Sequence, residues 1–71
     1  MRKLMRIKRI EIGDSIEECS KKLKTTRHNI YLIESGKRNG SFQFWINFQK
    51  EYKISDEEMW SIIKGEDDSN E

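Results

Sequence analysis

Residues Lys24–Arg38 read KTTRHNIYLIESGKR. Thr26 is placed to cap a helix, because its hydroxyl can meet the free amides of a first turn. Ser35-Gly36 is placed to end it, since glycine takes the left-handed conformation common at helix C-termini. Ile30 and Ile33, three apart, face a core, which leaves Arg27, His28, Asn29, Tyr31 and Leu32 on other faces. Lys37 and Arg38 follow directly. A helix start carrying a guanidinium, an imidazole and an amide, with two cations just past its end, suits contact with base edges and phosphates.

Upstream, Ser15-Ile-Glu-Glu18 has the form of a capping box and starts a helix. Ile16, Cys19 and Leu23 give that helix one apolar side, while Glu17, Lys21 and Lys22 face water. It ends near Leu23, so a tight turn of about three or four residues joins it to the helix opening at Thr26. Residues 2–11 form an earlier helix of mediocre periodicity. Leu4 and Met5 suit its core side, Ile7 and Ile10 do not both fit there, and Gly13 makes the turn.

Downstream, Ser41 caps a helix in which Phe42, Trp45, Phe48 and Tyr52 keep the spacing of one apolar face. Phe44 and Ile46 are surplus to that stripe. Ser55-Asp-Glu-Glu58 is a second capping box and opens a helix with Met59, Ile62 and Ile63 inward and Trp60 between faces. Gly65 closes it, and residues 66–71, EDDSNE, are expected to form a short acidic disordered tail. The reading is an all-α fold of five helices in one domain over residues 1–65.

The chain has 71 residues, a single cysteine, a single histidine and a formal net charge of +1. One small core is all that such a length supports. With Cys19 alone, no disulfide can form within the chain, and no Cys/His set has metal-ligand spacing. No apolar run is long enough for a bilayer, and the cationic N-terminus lacks a signal peptide's apolar region, so a cytoplasmic setting is expected. The near-neutral total hides a division. Residues 1–40 carry 11 Lys/Arg and 5 Asp/Glu, net +6, whereas residues 41–71 carry 3 and 8, net −5, summing to the stated +1. The basic part favours an anionic partner. Cys19, three residues from Ile16, reads as a buried apolar side chain rather than a nucleophile, and His28 falls on another helix, so no catalytic set emerges and the chain is not read as an enzyme.

The stretch from Gly13 to Arg38 resembles the helix-turn-helix of the phage repressor and Cro class, the XRE family. A capped helix, a tight turn and a second helix ending in an Ile-Glu-x-Gly-Lys pattern carry the likeness; here those residues are Ile33, Glu34, Ser35, Gly36 and Lys37. The similarity extends over about residues 2–64. It implies a lambda-repressor-like domain with its helix-turn-helix at about residues 15–34, acting on double-stranded DNA. Arg27, His28, Asn29 and Leu32 then occupy base-reading positions in the major groove. Thr25, Thr26, Tyr31, Lys37 and Arg38 occupy phosphate-contacting ones. Arg9 matches an arginine that pairs, in the family, with the glutamate matched by Glu34. The sequence departs from the pattern at Ile16, where Gln is common, at Lys24, where the turn usually has Gly, and at Ser20, which replaces Ala. Asn39-Gly40 stands where a Pro is frequent.

The resemblance implies a small transcriptional regulator, similar to repressors of phages and mobile elements, acting by promoter occupancy. It also implies a homodimer on a palindromic operator; the residues themselves point to no cofactor, metal, membrane or small-molecule ligand. Trp60, with Phe44 or Ile46, either makes the dimer contact or completes the core. A second reading keeps the helix-turn-helix as a scaffold for a protein partner, such as a toxin or another regulator.

Overall fold

A computed structural model describes residues 2–64. The expected helix stop at Gly65 and the acidic tail lie outside the described residues. The described chain is all-helical, with α1 (Lys3–Ile12), α2 (Ile16–Lys22), α3 (Arg27–Glu34), α4 (Phe42–Tyr52) and α5 (Asp56–Lys64).

The helix starts are set by short polar side chains. Ser15 Oγ accepts from the Glu18 amide at 3.1 Å while Glu18 Oε1 accepts from the Ser15 amide at 2.9 Å, closing a reciprocal box at α2. Ser55 and Glu58 repeat it at α5, at 3.2 and 3.1 Å. Thr26 and Ser41 cap α3 and α4 singly, accepting from the amides of Asn29 and Phe44, each at 3.1 Å.

The helix ends repeat a second device. After α1 the Asp14 amide reaches back to Arg9 O and the Gly13 amide to Ile10 O; after α3 the Lys37 amide reaches Leu32 O and the Gly36 amide Ile33 O. Both are paired 6→1 and 5→2 bonds around a left-handed residue. The same pattern closes α2, with Thr25 N–H to Ser20 O and Lys24 N–H to Lys21 O, but there the left-handed residue is Lys24, at φ 55°. A Cβ in that conformation costs about 1–2 kcal/mol, so lysine fills glycine's place under strain. Lys53 ends α4 in the left-handed conformation as well, at φ 53°, but there its amide and that of Ile54 both reach Gln49 O.

The core gathers Met5, Cys19, Leu23, Ile30, Ile33, Phe44, Trp45, Phe48, Tyr52, Ile54, Met59 and Ile62, with Leu4, Ile16 and Ile63 packed on its edge. Helix α1 touches α3, α4 and α5, α2 lies against α3, and α4 against α5. The α4 aromatics form a ladder, Phe48 stacking on Tyr52 with centroids 4.6 Å apart and Trp45 meeting Phe44 edge-on at 4.9 Å.

Two assignments within α4 are corrected. Phe44, taken as surplus and as a dimer-contact candidate, is buried in the core, and Phe42, taken as core, is 71% exposed. Both flank the arc of Trp45, Phe48 and Tyr52 about equally, so helical spacing does not separate them. Packing decides. The chain returns from α3 through Gly40, whose backbone lies against Phe44, Trp45 and Ile33, and this covers the Phe44 side while Phe42 stays in the exposed first turn. Along α1, Ile7, Ile10 and Ile12 are all about half exposed.

Candidate nucleic-acid interface

Helix α3 is held from behind by two buried arginines. Arg9 Nε and Nη2 donate to the two carboxylate oxygens of Glu34, each at 3.0 Å, and Nη1 donates to Asp14 O at 2.9 Å. Arg9 and Glu34 are 8% and 6% exposed. The forked geometry matches a carboxylate and fixes α1 to the last turn of α3. The bond to Glu34 raises the Arg9 pKa against the opposing effect of burial.

Arg2 does the corresponding work at the other end of α1, and nothing in its sequence context marks it as buried. Its Nη1 donates to Ile33 O at 2.6 Å and Arg38 O at 3.0 Å, its Nε to Ile62 O at 3.1 Å, and its Nη2 to Ile63 O at 3.4 Å. Its amide donates to Glu34 O at 2.7 Å, and its guanidinium lies 5.4 Å from the centroid of the Trp45 ring. The partial negative charge at the ends of α3 and α5 converges on this cation.

A third tie reaches α2 and α4. Asp14 accepts from Tyr52 Oη at 2.9 Å and pairs with Lys22 Nζ at 2.6 Å. The Lys22 bond, aided by Tyr52, holds the Asp14 carboxyl below its ordinary range. Burial pushes the Cys19 thiol up. It pushes the Tyr52 phenol up as well. Both therefore stay neutral near pH 7. Ser20, where small alanine is frequent in the resembling family, is accommodated by donation from its hydroxyl to Glu17 O at 2.6 Å.

What α3 presents outward is polar and largely cationic. Lys24, Arg27, His28, Lys37 and Arg38 are exposed, as are Thr26 and Tyr31; Thr25, Asn29 and Leu32 are half-buried. No acidic residue stands in the first turn of α3, whereas α5 opens with Asp56, Glu57 and Glu58. Arg27 lies 3.6 Å from Glu17, and both side chains are well exposed, so this pair is easily exchanged for another anion. Ile16 is half-buried and lines a shallow apolar hollow with Arg27, His28 and Tyr31. An Ile at the first position of α2 thus supplies contact surface where a Gln would supply an amide.

The nine residues expected to read bases or contact phosphates lie in α3 or within four residues of its ends, with one departure in orientation. Asn29 does not project freely: its Nδ2 donates to Thr25 Oγ1 at 2.9 Å, and its Oδ1 accepts from Arg38 Nη1 at 2.6 Å. Trp60 is 49% exposed and, with Phe42, Trp45, Met59, Ile63 and the Asn39-Gly40 segment before α4, lines an open groove of about 390 Å³. Ile46 is half-buried and outside that lining.

No family model matches the chain, and neither a curated protein nor a solved structure is found to be similar to it. Among the described residues no helix is long and apolar enough to cross a membrane. No group of three or more His, Cys, Asp or Glu among them is placed to hold a metal ion.

Proposed function

We propose that the protein is a sequence-specific, double-stranded DNA-binding regulator of the phage repressor and Cro type, with α2 and α3 as its helix-turn-helix and promoter occupancy as its mode of action. The observation that carries this reading is α3 itself. A short helix is braced from behind by the buried Arg9–Glu34 pair and by Arg2, while its outer side offers Arg27 and His28 and the segment after it offers Lys37 and Arg38. Bracing of this kind fixes the donors of a rigid helix before contact, so little ordering entropy is lost on binding.

In this reading Arg27 pairs with guanine and His28 with a base edge or phosphate, while Leu32 covers a thymine methyl group. Thr25, Thr26, Tyr31, Lys37 and Arg38 meet the backbone and set register. The open groove flanked by exposed Phe42 and Trp60 serves a two-fold dimer on a palindromic operator. The same exposed aromatics support the second reading, a module that binds another protein through this groove.

Titration onto duplex DNA flanking the protein's own gene, against unrelated duplex at several salt concentrations, separates the two. DNA reading requires tighter binding to the first, and loss of that preference when Arg27 and His28 are both changed to Ala, at roughly 1–3 kcal/mol for each good contact. Equal binding to both duplexes by the wild type refutes sequence-specific reading.

A further inference from the structure

The geometry points to Asn29 as a positioning residue rather than a base reader: its amide locks Arg38 and Thr25 into one rigid claw for a backbone phosphate. The inference rests on the DNA-binding reading of α3 and assigns Asn29 a different part within it.

Arg38 is fixed at three points. Its amide donates to Leu32 O at 3.1 Å, its carbonyl accepts from Arg2 Nη1 at 3.0 Å, and its guanidinium donates to Asn29 Oδ1 at 2.6 Å. An arginine four residues beyond the end of α3 is thereby folded back against the helix's first turn, where Asn29 stands. The other end of the same amide donates to Thr25 Oγ1, in the turn before the helix. Because that oxygen is already an acceptor, the Thr25 hydroxyl proton is available to donate elsewhere, and Arg38 retains N–H groups beyond the one given to Asn29. The two donors flank one amide and suit one anion.

Asn29 in turn is held at both ends of its side chain, which fixes the plane of its amide; the second N–H and second lone pair that remain can meet an adenine only in the orientation that Thr25 and Arg38 set. Its role as a helix residue is separate, since the Thr26 cap uses the Asn29 backbone amide and not its side chain. Asn29→Ala therefore removes the claw without removing the cap.

The test compares wild type, Asn29→Ala, Arg38→Ala and the double variant by fluorescence anisotropy on a preferred and an unrelated duplex over a range of salt, with thermal melts as a check on folding. Each single variant is expected to melt near wild type and to weaken both duplexes by the same factor, about tenfold, as for loss of one hydrogen bond to a charged group. Arg38→Ala should also flatten the salt slope by about one. The double variant should bind no more weakly than Arg38→Ala. Arg38→Lys, which keeps the charge but not the fork, should likewise abolish any further effect of Asn29→Ala. A fall in preference between duplexes on Asn29→Ala overturns the inference, because it makes Asn29 a reader. Multiplicative losses in the double variant overturn it as well, because the two residues then act apart. Wild-type protein that binds neither duplex instead refutes the DNA-binding reading, and the claw with it.

Discussion

Arg9 is 8% exposed, and changing Glu34 to Ala leaves its guanidinium with only the Asp14 carbonyl of its present partners. Removing one member of a buried, hydrogen-bonded ion pair costs about 3–5 kcal/mol, most of it the penalty of stranding the other charge. A chain of 71 residues has a total stability of only about 4–10 kcal/mol. Glu34→Ala should therefore be partly unfolded at 37 °C, with its urea midpoint far below that of wild type by circular dichroism and tryptophan emission. The double change Arg9→Met with Glu34→Leu removes both charges and fills the space with apolar atoms. It should recover most or all of the loss, since such replacements are often neutral or stabilising. Two results refute the reasoning. A loss under about 1 kcal/mol for Glu34→Ala means the pair is solvated and behaves as a surface bridge. A double variant as unstable as the single means that Arg9 matters through Asp14 and not through Glu34.

Gly40→Ala should cost about 2 kcal/mol or more in urea denaturation, because φ is +79° and a Cβ would stand 3.0 Å from Trp45 Nε1 and 3.2 Å from Phe44 Cδ2. Gly13→Ala, at φ +91° but with nothing within 4 Å of the added Cβ, should cost less, about 1 kcal/mol. Lys24→Gly should raise the melting temperature, the relieved left-handed strain exceeding glycine's added chain entropy by about 0.5–1 kcal/mol. Asp14 is held below its ordinary range by Lys22 and Tyr52. Its contribution is thus present above the unfolded carboxylate pKa and lost as pH falls through the folded value. Stability curves of wild type and Asp14→Asn should accordingly differ near neutral pH and begin to converge only as pH falls below about 4.

The elements were legible because their signals are local. Ser15-x-x-Glu18 and Ser55-x-x-Glu58 announce two helix starts, Thr26 and Ser41 two more, and Gly13 and Gly36 two ends. Lys24 stands where the turn usually has Gly, and only the fold shows that the lysine takes the left-handed conformation there. Arg2 was not legible at all. A cation near the start of a basic helix reads as solvated, and its burial depends on carbonyls 31 and 60 positions away. The Asp14–Tyr52 bond spans 38 positions and is equally silent in sequence. Phe42 and Phe44 were exchanged because they flank the same arc, and the path through Gly40, not periodicity, chooses between them. Asn29 shows the limit for site residues. Its type suits adenine, and nothing in the sequence announces that Arg38, nine positions on, donates to its oxygen.

Selection from a pool of duplexes with a randomised centre tests the central proposal most directly. A regulator of the proposed kind should enrich a two-fold-symmetric motif with half-sites about one helical turn, roughly 10–10.5 base pairs, apart. Arg27→Ala should then relax the motif at one position of each half-site while leaving its spacing unchanged. A pool that emerges without any preferred sequence from wild-type protein, at a salt concentration where binding is retained, contradicts the account.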